Sequence, residues 1–171
     1  MGGSRLLQFV ARASMLLRAS GIAYMLSLPG CAGLLPHKPI ATNLVLASTA
    51  ADGATAAAQI SSYRKAHGLN AVAFDPTLAD AAETQARAVA ATGALSHGDF
   101  GTRMASFGIG GISAENLSAG RTSVGEAIAS WKASPGHNEN LLLAGVHRIG
   151  IARIDTPGVG YKQYWALVLA Q

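Results

Sequence analysis

Apolar positions along the chain follow a helical period first and a strand-like pattern later. One helix is predicted from Asp52, interpreted as its N-cap, to Gly68, and a second from Asp75 to Gly93. Asp is favoured at the N-cap, Pro in the first turn and Gly just after the last turn. The Asp-Pro pair at 75–76 makes the second start the clearer of the two.

Three shorter helices are predicted further along the chain. The first covers Thr102 to Phe107. In the second, apolar residues from Val124 to Trp131 fall at i, i+3, i+4 and i+7 and form one stripe. Ser123 and Glu126 match a capping box there, in which the glutamate reaches back to the N-cap amide, so capping accounts for Glu126. The third begins at Ser134-Pro135.

The last third of the chain is rich in strand signals. Residues 148–154 alternate larger and smaller side chains, residues 164–169 are continuously apolar, and a Pro-Gly turn separates them, which predicts an antiparallel hairpin. Residues 114–119 are interpreted as another strand, and residues 44–46 as a short additional one. Helices come first, with one or two more between strands, so the order favours an α+β fold or a three-layer arrangement over a regular βαβ series.

The net charge of +4 is concentrated at the N-terminus. Arg5, Arg12 and Arg18 lie within the first 30 residues, and without them ten Lys and Arg residues face nine Asp and Glu residues. Nucleic-acid binding requires a patch that neutralises several phosphates together, whereas these cations are scattered. Nucleic acid is therefore not a predicted partner.

Residues 1–30 are interpreted as a signal peptide of lipoprotein type. A basic region precedes an apolar stretch of ten residues, Ala19 to Leu28, which is too short to span a bilayer. The sequence Leu-Pro-Gly-Cys that follows resembles a bacterial lipoprotein cleavage box, in which Cys31 would be lipidated. The alternatives are an ordinary buried thiol or a chance cysteine. Met1 and Met15 both remain possible starts.

The chain is thus expected to be exported, as a periplasmic or outer-membrane-anchored lipoprotein or as a secreted protein. Residues 31–51 are interpreted as a tether and residues 52–171 as a single, monomeric domain. Because Cys31 is the one cysteine, no intramolecular disulfide can form, and the fold must be held by packing.

Three polar residues stand out from apolar or tightly turned surroundings: His97, Glu115 and His137. His137 is predicted at the third position of its helix, where the helix dipole disfavours a positive charge. A neutral imidazole can bind a metal or accept a proton, but from this residue alone a helix-capping role is the stronger interpretation. The chain has no HExxH, Cys/His zinc or GxSxG motif and no phosphate loop, so spacing alone leaves the function open.

Several short segments, in order along about 110 residues, resemble the CAP superfamily, also called the SCP domain. They are YRKAHGL at 63–69, FDPTL at 74–78, SH at 96–97 with Arg103 and FG at 107–108, ENL at 115–117, W at 131 with SPGH at 134–137 and NLL at 140–142, and the closing strands around 149–152 and 164–165.

The resemblance implies a three-layer α-β-α sandwich with a mainly antiparallel central sheet. It also implies a cleft with two histidines and two acids, able in some members to hold a divalent metal such as zinc. Carried over to this chain, His97 and His137 are the metal-binding pair and Glu115 is one acid. Asp99 is the nearest candidate for the other acid, with a turn role beside Gly98 as an equal alternative.

Three functions remain open. The first is a cell-envelope binding module for a lipid, sterol or other envelope component. The second is a metal-dependent hydrolase or peptidase that uses the same cleft. The third is a structural lipoprotein with a vestigial cleft. The first is favoured, because hydrolysis also needs a positioned nucleophile and an oxyanion partner, and only the metal-binding set is visible. Whether the protein is an enzyme stays open.

Overall fold

The computed structural model describes residues 43–171, so the predictions for the signal peptide, for Cys31 and for residues 31–42 of the tether lie outside it. Over the described residues the chain forms five helices and five strands. Their order is β1 (Val45–Leu46), α1 (Ala50–Ala66), β2 (Ala73–Phe74), α2 (Pro76–Thr92), α3 (Phe100–Ser106), β3 (Ser113–Ala119), α4 (Val124–Lys132), α5 (Pro135–Leu141), β4 (Arg148–Asp155) and β5 (Gln163–Ala170). None of these helices is long and apolar enough to cross a membrane.

The strands form one mainly antiparallel sheet in the order β1-β4-β5-β3. β4 and β5 pair along their whole length, from Arg148 opposite Ala170 to Asp155 opposite Gln163, which confirms the predicted hairpin. β2, which the sequence pattern did not reveal, adds a parallel pair of residues to β4. β3 pairs only with β5 among the described strands and therefore lies at one edge of the sheet.

Side chains alternate across β5 and divide the core in two. Trp165, Leu167 and Leu169 pack with residues of α1, α4 and α5, whereas Tyr164, Ala166 and Val168 pack with residues of α2 and α3. Both faces of β5 are buried, which explains its continuous apolar run. The helices therefore cover the sheet from both sides, and the expected three-layer α-β-α arrangement is confirmed.

The closest approach between layers joins α2 to β4. A Cβ atom placed on Gly150 would lie 2.0 Å from the backbone carbon of Leu78. Ala81, Ala82 and Ala86 on the buried face of α2 are likewise small. The alanine-rich pattern of this helix thus reflects how near its backbone lies to the sheet.

The folded domain begins before Asp52. Thr49 is the N-cap of α1, and its hydroxyl accepts a hydrogen bond from the amide of Asp52. Asp52 returns the contact to the amide of Thr49, so it is the third residue of the helix in a capping box and the N-cap prediction was wrong. Because β1 pairs with β4, residues 45–51 belong to the domain and not to the predicted tether.

A buried guanidinium fixes the position of α5. Arg64 on α1 is 1% exposed, and burial lowers its pKa. It donates only to backbone carbonyls, one in the loop after α1 and three at the end of α5 and in the loop after it: those of Asn70, Leu141, Leu143 and Val146. The first helix and the last loop before the hairpin are thereby joined through one side chain.

Candidate functional site

The candidate site straddles the edge strand β3. Successive side chains of β3 point to opposite faces of the sheet, so Glu115 lies on the same face as Leu117. Leu117 packs in the layer of α2 and α3. Asn116 points to the other face, where its side chain contacts residues of α5. The strand thus presents Glu115 to one helical layer and Asn116 to the other.

His97 and Glu115, two of the residues predicted to converge in a cleft, form a direct contact. The imidazole Nδ1 of His97 lies 2.8 Å from Oε1 of Glu115. The glutamate side chain is 2% exposed and the histidine side chain is 54% exposed. The buried carboxylate therefore holds the more exposed imidazole in place. Among the described residues, no hydrogen bond involves Nε2 of His97.

Arg103 on α3 occupies the second oxygen of Glu115. Its Nη2 donates to Oε2 over 2.5 Å, and its side chain is 9% exposed. Its Nη1 donates to the backbone carbonyl of His97 at 3.2 Å and to the side-chain oxygen of Gln85. Gln85, on the buried face of α2, donates in turn to the carbonyl of Ser96.

Neither Arg103 nor Gln85 was predicted to be part of the site. Arg103 was quoted only as part of a family motif, and Gln85 was not singled out. A polar residue at a core position is a signal that could have identified Gln85, because buried polar groups require partners. Nothing local in the sequence indicated that Arg103 would pair with a residue 12 positions later.

His137 lies on the opposite side of β3, at the third position of α5 as predicted. Asn116 donates to the carbonyl of His137 at 2.9 Å. Asn140 donates to the side-chain oxygen of Asn116 at 2.9 Å and to the carbonyl of Glu115 at 3.2 Å. Ser134 is the N-cap residue of this helix, in agreement with the predicted start, although its side chain makes no cap hydrogen bond.

Side-chain donors also form hydrogen bonds with backbone carbonyls along the outer edge of β3. The indole nitrogen of Trp131 donates to the carbonyl of Leu117 at 3.0 Å, and Asn140 serves the carbonyl of Glu115 in the same way. Unpaired carbonyls on an edge strand would otherwise invite pairing with another chain. The helical layer of α4 and α5 thus both ends the sheet and supports the site.

The two polar sides of the site differ in their electrostatics. Burial raises the pKa of Glu115, while the hydrogen bonds and charges of His97 and Arg103 oppose that rise. Burial lowers the pKa of His137, and the nearby charge of His97 lowers it further. This direction agrees with the expected bias of His137 toward its neutral form, with burial as the larger cause and the charge of His97 as the smaller.

Asp99 lies away from this arrangement. It is the N-cap of α3, and its carboxylate accepts a hydrogen bond from the amide of Thr102 at 3.0 Å. That bond lowers the pKa of Asp99, whose side chain is exposed to solvent. The structure therefore gives Asp99 the local capping role that was weighed against a place in the cleft.

Glu126 also has a local role at the start of its helix. Ser123 caps α4 as predicted, and its hydroxyl accepts a hydrogen bond from the amide of Glu126. The Glu126 carboxylate accepts from the amide and hydroxyl of Thr122, one residue earlier than the N-cap amide predicted for it. Glu126 thus stays outside the site.

The predicted metal-binding pair is not part of a larger group of ligands among the described residues. Over residues 43–171 there is no group of three or more His, Cys, Asp and Glu side chains placed to hold an ion. Both oxygens of Glu115 are engaged, so this carboxylate orients His97 and is not itself available as a ligand. Imidazoles are common ligands of divalent cations, so His97 and His137 stay the candidate donors named in the sequence analysis.

Comparisons with known proteins agree with the fold. The sequence profile of the cysteine-rich secretory protein family, CAP, matches residues 57–169. An outer surface protein from Borrelia burgdorferi is 23% identical, with a TM-score of 0.64, over 74% of this chain and 97% of that one. A comparison with curated proteins finds no match.

Two longer bacterial proteins contain a similar domain. An extracellular protein with an SCP domain from Bacillus anthracis is 23% identical, with a TM-score of 0.60, over 71% of this chain and 41% of that one. A cysteine-rich secretory protein from Staphylococcus aureus is 18% identical, with a TM-score of 0.56, over 72% of this chain and 39% of that one. The present chain therefore spans less than half the length of these two proteins.

Proposed function

The chain belongs to the CAP family, the cysteine-rich secretory protein family, and on that premise we propose that it is an exported cell-envelope binding module. Its cleft, formed by His97, Glu115 and His137, would bind a divalent cation and, through it, the polar end of a lipid or other envelope component. Export is supported by two proteins of similar structure, one an outer surface protein and the other an extracellular protein.

The contact between His97 and Glu115 carries this proposal. A metal-binding histidine commonly donates its second ring N–H to a carboxylate, which fixes the ring and leaves the other nitrogen available. His97 has that arrangement, with Nδ1 on the buried carboxylate. His137, whose pKa is lowered, supplies a second imidazole in the neutral form that binds metals. A bound cation would provide attraction for an anionic group.

The same geometry favours binding over hydrolysis. A general base must be able to accept a proton from water or from the nucleophile. Glu115 is buried, and its two oxygens already accept hydrogen bonds from His97 and Arg103. Hydrolysis through this carboxylate would require that the ion pair with Arg103 open first. A panel of ester and peptide substrates, assayed for activity that depends on Glu115, tests the hydrolase alternative directly.

Zinc titration of the purified protein by calorimetry tests the metal-binding proposal. His97→Ala and His137→Ala should each abolish or strongly weaken binding. His67→Ala is the matched control, because His67 is exposed at the end of α1 and its Nδ1 contacts only the carbonyl of Tyr63 among the described residues. Equal binding heats in all four proteins would overturn the proposal.

Attachment to the membrane through Cys31 is a separate part of the proposal. The residue follows the apolar stretch and a Leu-Pro-Gly sequence that resembles a lipoprotein cleavage box. Labelled palmitate should be incorporated into the wild-type protein and not into Cys31→Ser. Equal labelling of both proteins would exclude a lipid anchor at this residue.

A further inference from the structure

The guanidinium of Arg103 supports His97 in two ways, directly through its backbone and indirectly through Glu115. Arg103 Nη1 donates to the backbone carbonyl of His97 at 3.2 Å, and Arg103 Nη2 holds the carboxylate to which the imidazole is bonded. The main chain and the side chain of His97 are therefore fixed by the same residue. Of the groups involved, only the histidine is substantially exposed.

Gln85 extends this support to the preceding residue. It accepts from Arg103 and donates to the carbonyl of Ser96, so α2 and α3 both hold the short segment that carries His97. That segment lies between the end of α2 and the start of α3 and has no regular secondary structure of its own over residues 94–98. Without these contacts its backbone carbonyls would have to find other partners.

We propose that Arg103 is a positioning residue that selects the ring tautomer and orientation of His97, with Gln85 in support. By holding Oε2 of Glu115, Arg103 directs Oε1 toward Nδ1 of His97, which keeps the proton of the neutral ring on Nδ1 and the lone pair on Nε2. The inference rests on the proposed function only where it says what the arrangement of Arg103, Glu115 and His97 is used for. The arrangement itself can be measured without any metal.

The test is the tautomer of His97, read from long-range ¹H–¹⁵N NMR spectra at a pH where the ring is neutral. The wild-type protein should show the Nδ1–H form, and Glu115→Gln provides a reference for the loss of the carboxylate. Arg103→Gln should give a mixture of the two tautomers, and Arg103→Lys an intermediate population, because an ammonium group carries the charge but lacks the planar fork.

Arg87→Gln is the matched control, since Arg87 forms an exposed ion pair with Glu83 on the outer part of α2. It should leave the His97 spectrum unchanged. A folded Arg103→Gln protein with a wild-type tautomer would overturn the inference. If Arg103→Gln does not fold, Arg103→Lys decides: an intermediate tautomer population supports the role, and a wild-type one refutes it.

Zinc affinity gives a second readout. Loss of the groups around a metal-binding histidine typically costs about 10–100-fold in affinity, and we expect about tenfold for Arg103→Lys because it acts through Glu115. Absence of zinc binding in the wild-type protein would count against the proposed function alone, since the tautomer measurement would still decide the role of Arg103.

Discussion

The side chains of Asn140 on α5 and Asn116 on β3 are joined by a hydrogen bond of 2.9 Å, which connects the helix that carries His137 to the strand that carries Glu115. Asn140 also donates to the backbone carbonyl of Glu115 itself, and Asn116 to that of His137. Two amides thus link the two halves of the candidate site across the edge of the sheet.

Asn140→Ala should lower the free energy of unfolding by about 1–3 kcal/mol, because it leaves the carbonyl of Glu115 and the side-chain oxygen of Asn116 without a donor. Urea unfolding followed by circular dichroism measures the change. Glu139→Ala, at the exposed preceding position of the same helix, is the control and should have little effect. Equal stabilities of the two variants would show that the amide link contributes nothing.

Arg64→Met should be more severe. The variant removes a buried guanidinium that serves four backbone carbonyls and leaves those carbonyls in an apolar environment. Hydrogen bonds from charged groups contribute about 1.5–3 kcal/mol each, and the losses are not additive, so we expect a loss of more than about 3 kcal/mol.

Thermal and urea unfolding of Arg64→Met should be compared with Lys65→Met, which changes an exposed cation at the next position. The Lys65 variant should unfold at nearly the wild-type temperature. A small effect of Arg64→Met would mean that water replaces the guanidinium at these carbonyls.

Gly150→Ala should disrupt the contact between α2 and β4. The added methyl group would lie 2.0 Å from the backbone of Leu78, a contact that no side-chain rotation can relieve. Overpacking of this kind costs about 1–3 kcal/mol or more. Gly110→Ala is the control, because nothing lies within 4 Å of the position of its new methyl group. Differential scanning calorimetry of both variants checks the prediction.

His137 should make the protein less stable in mild acid. Because its pKa is lowered in the folded state, the unfolded chain binds the proton more readily, and stability falls as pH drops below the ordinary histidine value near 6.5. His137→Gln should reduce this loss between about pH 7 and pH 5.

The measurement is the urea midpoint of both proteins as a function of pH. The raised pKa of Glu115 contributes a slope of opposite sign at lower pH, where protonation favours the folded state. That contribution remains in both proteins, so the difference between the two curves isolates His137. Parallel curves across this range would contradict the prediction.

Most of the fold was predictable because strong local signals mark its elements. The Asp75-Pro76 start, the Ser123 cap and the apolar run of β5 were all read correctly. β2 was missed because two residues show no periodicity, and its pairing with β4 is decided by contacts distant in sequence. The start of α1 was misplaced because Thr49 and Asp52 are both good capping residues and share one capping box.

The site was predictable only in part for a similar reason. The family resemblance predicted that His97, Glu115 and His137 converge, and the structure contains the contact between the first two. The supporting residues lie 6 to 25 positions from the groups they contact, and no local pattern encodes such pairs. Asp99 looked like a site residue because it is close in sequence, yet its carboxylate is used by the amide of Thr102.

The two imidazoles come from opposite helical layers, so ligand binding at the site is linked to folding of the whole domain. His97 follows α2 and His137 belongs to α5, so a partly folded chain with either layer detached lacks the complete site. A cation or ligand held by both rings would bind only when both layers are in place, and would therefore stabilise only the fully folded state. Its binding energy would oppose global unfolding and slow hydrogen exchange throughout the core, while leaving the fraying of single helices unchanged.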